Sequence, residues 1–584
     1  MAGDPTDDGT ATPERRGGLA FLSTVMVSVA LLVAGAVEGR HLWFFADEWN
    51  VFGNYPQGEL LKPFNGHLSL IPVGIYQILY ATLGVGSHLP FRLAGLAALA
   101  VLAFQIARYA HARLGWTAAA LATAAVMWNS SGSSNVLFPF LLNFTIPLAA
   151  MFAIWWHLDR GDDAEGAGRS RIRSDVAGAI WLAVALASSA LGIMVLIALV
   201  IELALRRAPL RRWLTYAPGV LLWAAWYATN RESSKVATDP GAVVAYAWRM
   251  FLGATTSLAA GWTPGGVVLA GLFVLVVGFG SWRWRTVDAR ALAALSAPVV
   301  FIGVTTVTRL PIIPYIPPDE LRYAWTVALY LVAVVIAVWP RRGDRTAGII
   351  AERARDADEA LPAGTAARRT TVLVAAAVLV AGGVVLIDGM VDWARMVESA
   401  TPGVRAALFA AEAVGPHRGS QDVILPLSYV PVTNGEYLHG VGTVGSPIAG
   451  IDPVTFRAGR PDQVGTADRL LVDELPIRSV AAPADVACSL QRPTRPIDVP
   501  PGSLVGFRVD PRSPDTASSD APLNVRVARF SAPGHGIEVE VRPTDDAGVA
   551  WLDVPPDAPG VDGRDVQYRV TVPDGVSACV IPRR

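Results

Sequence analysis

Long apolar runs fill the first two-thirds of the chain and then stop. They lie near 19–38, 90–110, 115–128, 137–157, 177–205, 213–229, 264–281, 291–307, 322–339 and 371–391. A helix needs about 20 apolar residues to cross a ~30 Å hydrocarbon core, so the pattern predicts a polytopic, mainly α membrane protein. The run at 177–205 is a special case. As one helix it would measure roughly 45 Å, well over the core thickness. The small residues of "ASSALG" (187–192) divide it, and the spacing predicts two short spans joined by an outside turn. The total expected is eleven transmembrane helices.

Arginine clusters then sort the connections by side. Arg15/Arg16, Arg108/Arg113, Arg169/Arg171/Arg173, Arg206/Arg207/Arg211/Arg212, Arg283/Arg285/Arg290 and Arg341/Arg342/Arg345 alternate with arginine-poor loops. By the positive-inside rule the clusters are cytoplasmic, which puts the N-terminus inside the plasma membrane and the C-terminus outside. Loops 39–89, 129–136, 230–263 and 308–321 then fall outside. Within them, "AVVAYAWRMFLGATTSLAAGW" is expected to lie on the outer surface as an amphipathic helix, with a crossing as the other reading.

From about 392 the pattern changes. A helical segment, "WARMVESATPGVRAALFAAEAV", leads into short alternating runs such as "DVILPLSYV", "SLVGFRV", "NVRVARFS", "IEVEVRP", "GVAWLDV" and "VQYRVTV". Turn residues separate these runs at the spacing of a β-sandwich. The expected layout is a disordered cytoplasmic stretch at 1–18, a transmembrane domain at 19–391 that includes the first outer loop 39–89, and an extracytoplasmic β-rich, sandwich-like domain at 392–584.

Composition agrees with this class. Hydrophobic residues make up 52% and charged residues 17%, and the mean hydropathy is +0.41. A formal net charge of −1 argues against a nucleic-acid partner, which would require a basic face. The first apolar run is too long for a signal-peptide core and reads as an uncleaved anchor. No P-loop, HExxH or GxSxG is present, and no GxGxxG occurs in a strand–helix setting. Cys488 and Cys579 are the two cysteines. On an oxidising side they can pair, closing a loop of roughly 90 residues for about 4 kcal/mol; two buried thiols are the other reading.

Candidate chemistry concentrates where the chain leaves the first run, in "FFADEWNVFGNYPQGELLKPFNGHLSL". Asp47 and Glu48 sit between Trp43 and Trp49, and Lys62, Asn65 and His67 follow at the start of an otherwise apolar segment. Two ordinary carboxylates on a solvated loop are the plain alternative. A carboxylate here can take a proton from a reacting hydroxyl. A leaving phosphate would need a cation, either a divalent metal such as Mg2+ or Mn2+ or an arginine or lysine clamp. Arg309 and Arg322 border the loop of "VTRLPIIPYIPPDELRYAWTV", and Arg249 lies in the amphipathic segment; each can equally anchor a helix end at lipid headgroups. In "WNSSGSSNVLFPFLLNF", hydroxyls and amides including Asn143 can bond sugar hydroxyls, or simply bond between helices.

A first span, an acidic pair at its outer end, a long loop with surface helices, many further spans and an exterior C-terminal domain together resemble the GT-C superfamily of membrane glycosyltransferases. Over about 40–160, "ADEWNVF", "LLKPFNGHLSLIPVGIYQILYATLGV" and "SHLPFRLAGL" resemble actinobacterial multi-spanning proteins that carry ADEW followed by an "HNEHW"-like motif. This chain reads "FNGHL" and lacks the second His and the Glu. The resemblance implies transfer of a sugar from a polyprenyl-phosphate donor to an extracytoplasmic glycan or protein, without a nucleotide cofactor. It makes Asp47 the catalytic base and Glu48 its partner, with Asp47, Glu48 and His67 as the metal candidates. Lys62, Asn65, His67, Asn143, Arg249, Arg309 and Arg322 are the substrate-binding candidates. A lipid-linked glycan transporter and a non-catalytic envelope assembly or glycan-binding protein are the competing readings.

Overall fold

The computed structural model describes residues 13–230, 236–283, 289–312, 321–338, 364–414 and 432–448, and the strand-bearing pieces 478–480, 489–491, 497–500, 503–509, 523–529, 536–541, 549–553, 568–572 and 576–582. Sixteen helices are defined among these residues: α1 (Pro13–Glu38), α2 (Asp47–Asn54), α3 (Leu70–Leu83), α4 (Leu89–Leu114), α5 (Trp116–Met127), α6 (Ser133–Leu137), α7 (Leu142–Gly166), α8 (Ile172–Leu186), α9 (Leu191–Leu205), α10 (Leu210–Asn230), α11 (Pro240–Leu258), α12 (Thr263–Arg283), α13 (Ala289–Arg309), α14 (Leu321–Val338), α15 (Gly364–Val414) and α16 (Asn434–Val444). The expected helix after 392 is the C-terminal part of α15. Asp319, Glu320, Arg285, Arg341, Arg342, Arg345, Cys488, "DVILPLSYV" and the first twelve residues lie outside the described residues. The helix begins at Pro13, inside the stretch expected to be disordered.

The eleven expected crossings are not confirmed by the described helices. Among the described residues, six segments are long and apolar enough to cross a membrane: Gly18–His41, Leu89–Leu114, Pro139–Gly166, Ala289–Arg309, Leu321–Val338 and Val374–Ser399. The pair Pro240–Leu258 and Thr263–Gly278 makes a seventh if it is one span, bent by 106°. The expected surface helix is thus one arm of a broken element. The break at 187–190 falls where the small residues predicted it, between α8 and α9, but each arm has 15 residues and is only about 22 Å long. α5, with 12 residues, is shorter still.

Contact clustering divides the chain into two compact units. The first comprises Met1–His41, Glu59–Ile78 and Leu89–Ala394; the second comprises Leu42–Gly58, Leu79–His88 and Arg395–Arg584. The first outer loop, expected whole within the transmembrane domain, is therefore shared between them.

Within the first unit, connections assigned to one side by arginine count do meet one another. The Ile71 N–H donates to the Ala187 carbonyl at 3.0 Å, and the Ala237 N–H to that of Val307 at 2.9 Å. Trp226 Nε1 donates to the Leu61 carbonyl at 2.6 Å and Ser130 Oγ to that of Ser257 at 3.0 Å. Each belongs to a connection expected outside, except Trp226 and Val307, which lie near the ends of expected spans 213–229 and 291–307.

The arginine-rich ends gather separately into a network of ion pairs. Arg290, fully buried, meets Glu202 at 2.6 Å and Asp159 at 3.2 Å. Arg113 reaches Asp159 at 3.6 Å, and Arg206 bridges Asp162 at 2.6 Å and Glu202 at 2.9 Å. Arg171 pairs with Asp162, Asp175 and Glu165, and Arg212 with Asp175 at 3.2 Å. A buried guanidinium is tolerable only when it is paired and hydrogen-bonded. The network ties α4, α7, α8, α9, α10 and α13 together at one end.

The second unit holds two four-stranded antiparallel sheets. One has the order β1 (Arg478–Val480), β6 (Val549–Asp553), β3 (Ser503–Val509), β8 (Val576–Pro582); the other β2 (Ile497–Val499), β7 (Tyr568–Thr571), β4 (Leu523–Arg529), β5 (Gly536–Val541). Leu504, Val549, Trp551 and Cys579 form a buried cluster. A Cβ on Gly506 would lie 3.0 Å from the Trp551 ring and 3.1 Å from Cys579 Sγ, so the glycine lets β3 pass beneath them.

Candidate active site

The acidic pair opens α2 in the second unit. Both carboxylates occupy the first helical turn, where they complement the exposed N–H dipoles. Their environments differ sharply. Glu48 is fully buried, and its Oε2 accepts from the Phe45 N–H at 3.0 Å. The same carboxylate bonds His88 Nε2 at 3.0 and 3.2 Å. The other ring nitrogen of His88, Nδ1, faces the Leu42 carbonyl at 3.3 Å. Trp49 Nε1 donates to the Phe44 carbonyl at 3.2 Å. Residues 42–49 thus form a loop closed on itself by side chain–backbone bonds, with Glu48 as its strut.

Asp47 is only partly buried. The residue before it, Ala46, has φ 46° and ψ −116°, a conformation an L residue seldom adopts. Strain of this kind persists where the surroundings over-determine it and is characteristic of functional positions.

Aromatic packing fixes this loop from several directions. The Trp43 and Trp49 centroids lie 5.2 Å apart, and Trp49 meets Tyr437 of α16 at 6.2 Å. The Arg405 guanidinium lies 4.7 Å from the Trp43 ring centroid, and burial lowers its pKa. α16 begins with a capping box in which the Thr433 and Glu436 side chains each accept from the other's backbone N–H. It crosses α2 closely: a Cβ on Gly440 would come within 2.5 Å of the Phe52 carbonyl oxygen. Tyr437 donates to Glu412 at 2.6 Å, and burial together with that carboxylate pushes its phenol well above the usual range. Tyr80, also in this unit, is raised by burial and then by the charge of Glu48.

The other sequence candidates belong to the first unit. Asn65 and Gly66 have φ 51° and 75°, and Phe64 and His67 exchange backbone bonds of 2.9 and 3.0 Å. An Asn-Gly pair with both φ positive is the signature of a two-residue type I′ turn. Asn65 is therefore there to make a turn, and it anchors a hairpin whose Phe64 packs 4.8 Å from Phe140. His67, partly buried, titrates at about 4, chiefly because of burial and then because of Arg309. The histidine and Arg309 are thus brought together, with Arg309 at the last residue of α13. Lys62 bonds exposed Glu59 at 3.3 Å. Arg322 lies 5.2 Å from the Tyr323 ring centroid. Asn143 Oδ1, buried, has no hydrogen-bond partner among the described residues.

Arg249 lines an open cavity of about 400 Å³ within the first unit, together with Ser130, Ser131, Thr256, Leu321 and Val385. It is the one charged side chain in that lining among the described residues. The polar turn that supplies Ser130 and Ser131 also carries Asn135, 4% exposed, whose amide oxygen and nitrogen both lack partners among the described residues. Ser133 Oγ and Asn129 Nδ2 are in the same condition. Each such group forfeits roughly 1–3 kcal/mol unless a ligand or water satisfies it.

The metal set proposed from sequence is not supported. Among the described residues, no group of three or more His, Cys, Asp or Glu side chains could hold a metal ion. Both Glu48 oxygens are engaged by His88, and Oε2 also by the Phe45 N–H. The residue missed at the sequence level is His88, in "SHLPFRLAGL". Its signal was a histidine at the re-entry to an apolar run, 40 residues from a carboxylate destined for burial.

No protein-family model matches the chain, and no curated protein matches it. Among solved structures, it is similar to crystal structures of ArnT from Cupriavidus metallidurans. The form bound to undecaprenyl phosphate aligns with TM-score 0.41 at 16% identity, over 71% of this chain and 84% of that one. The apo form aligns with TM-score 0.42 at 16% identity, over 78% and 96%. A likeness at that level assigns neither family nor activity.

Proposed function

We propose that this chain is a membrane glycosyltransferase that moves a sugar from a polyprenyl-phosphate donor to an extracytoplasmic hydroxyl. The observation that carries the reading is the division of labour in the acidic pair. Glu48 is spent on holding residues 42–49, and Asp47 is left partly exposed at the start of a helix braced by that strut and by α16. A base held on a braced element keeps the geometry proton transfer needs. In the reaction, Asp47 takes the proton of the acceptor hydroxyl as its oxygen bonds to the anomeric carbon. The bond from that carbon to the phosphate oxygen breaks, its electron pair leaves on the phosphate, and the configuration inverts.

Arginines are assigned to the leaving phosphate, with a divalent cation such as Mg2+ or Mn2+ as the other candidate counter-charge. The cavity holding Arg249 combines one guanidinium, hydroxyls and an apolar wall, a mixture suited to a phosphate that carries an isoprenoid chain. Arg309 and Arg322 are assigned to the same task. Asn135, whose amide lacks a partner among the described residues, and Asn143 are assigned to sugar hydroxyls. The exterior side is assigned to the first loop and the C-terminal sheets, with the N-terminus cytoplasmic, and a disulfide between Cys488 and Cys579 is proposed. Labelling of both thiols in the unreduced protein would exclude that disulfide.

A strain lacking the gene should accumulate one polyprenyl-phosphate sugar in its lipid extract and lose the matching sugar from an envelope glycan or protein. An unchanged lipid-linked sugar pool together with an unchanged envelope would overturn the reading. The departure at "FNGHL", whose Asn65-Gly66 serves as a turn, favours as second reading a non-catalytic envelope protein of the same architecture. Purified protein that binds the donor lipid but never transfers its sugar would select that reading.

A further inference from the structure

Arg108 on α4 and Arg160 on α7 share one indole. The Arg108 guanidinium carbon lies 3.7 Å from the Trp156 ring centroid and 5.4 Å from that of Phe104; that of Arg160 lies 4.8 Å from the same Trp156 ring. The spacing explains the arrangement, because Phe104–Arg108 and Trp156–Arg160 are each four apart and so share a helix face. No carboxylate pairs with either arginine among the described residues, and the solvent-shielded Nε and Nη2 of Arg108 have no hydrogen-bond partner there. His157, the remaining titratable side chain beside them, adds no negative charge.

The contrast lies on the same two helices. Arg113, five residues along α4, is paired with Asp159, one residue before Arg160, within the ion network. Two like charges held against one ring without a counter-charge lack what every neighbouring network arginine has. Cation–π attraction offsets part of that cost but cannot neutralise charge. The surroundings indicate where the missing anion comes from. Both helices contain segments long and apolar enough to cross a membrane. On α4 the exposed apolar residues Val101 (43%) and Phe104 (59%) run at three- and four-residue spacing into Arg108. Such a stripe offers an acyl chain a track that ends at a guanidinium.

We propose that Arg108 and Arg160 form a binding site for the phosphate of an anionic membrane lipid, with Trp156 as its floor. Guanidinium forks match phosphate oxygens in geometry as well as charge. The site uses none of the residues assigned to transfer and stands apart from that reading.

Detergent-purified full-length protein, exchanged into micelles holding equal phosphatidylglycerol and phosphatidylcholine, tests it by native mass spectrometry of retained lipid. Wild type should retain phosphatidylglycerol over phosphatidylcholine by roughly tenfold, the scale of one charge-assisted contact pair. R160Q, at an exposed position that leaves the fold intact, should lose most of that preference, and R108Q/R160Q all of it. R169Q, which removes an exposed arginine elsewhere, should change nothing. Excess inorganic phosphate separates the sources: displacement marks a phosphate-anion site indifferent to the chain, and persistence marks a lipid site. Equal retention of both lipids by wild type, or undiminished preference in R108Q/R160Q, overturns the proposal.

Discussion

Replacing His88 by Phe keeps an aromatic ring in its pocket and removes the partner of a carboxylate that has no access to water. The Glu48 side chain is 0% and the His88 side chain 4% exposed, and their nearest atoms are 3.0 Å apart. Without His88, Glu48 loses both of its bonds to the ring nitrogen and keeps the Phe45 N–H. Removing one member of a buried ion pair costs about 3–5 kcal/mol, mostly through the stranded charge. Glu48→Gln is milder, because an amide oxygen still accepts from Phe45 and the loss is about 1–3 kcal/mol. The double variant has no stranded charge, so its loss should fall short of the sum of the singles by about 1–3 kcal/mol. Denaturation of the purified protein, followed for the four members of the cycle, gives the coupling directly. Singles that leave stability unchanged, or that add without coupling, would refute the strut assigned to Glu48.

Arg290→Ala should destabilise by about 3 kcal/mol, the low end for breaking a buried pair, because Glu202 keeps Arg206 and Asp159 keeps Arg113; Arg290→Lys should recover only part, since an ammonium cannot reach both acids as a fork does. For His67 the sign follows from a folded value of about 4 against an ordinary 6.5. The unfolded chain binds the extra proton between those values, so this contribution is complete above pH 6.5 and is lost as pH falls towards 4. Subtracting the stability–pH profile of His67→Gln from that of wild type should isolate that slope, and identical profiles would contradict it.

The architecture was legible in the sequence wherever a signal is local. The small residues at 187–190 interrupt the helix where length demanded it, and "SLVGFRV" is a strand over its whole length because alternation and turn residues agree. Crossing number was not legible. Hydropathy cannot tell a full span from a 12- or 15-residue apolar helix packed against its neighbours, as α5 and α9 show. Arg171, Arg206, Arg212 and Arg290, from the clusters used to assign sides, serve an ion network, and their acids are scattered from Asp159 to Glu202. The turn at Asn65-Gly66 was legible from the Asn-Gly pair but was passed over because polarity was weighed before turn chemistry. The support of α2 by His88 and by α16 depends on contacts 40 and nearly 400 residues distant, which no local pattern encodes.

Sugar transfer by the Asp47→Asn variant is the most direct measurement of the central claim. The substitution preserves shape and removes the proton acceptor, so purified variant and wild type are compared for transfer from the polyprenyl-phosphate sugar that the deletion strain accumulates. Transfer should fall by roughly 10²-fold or more if Asp47 is the general base, while denaturation and retention of the donor lipid stay at wild-type values. Transfer by Asp47→Asn at the wild-type rate would contradict the account.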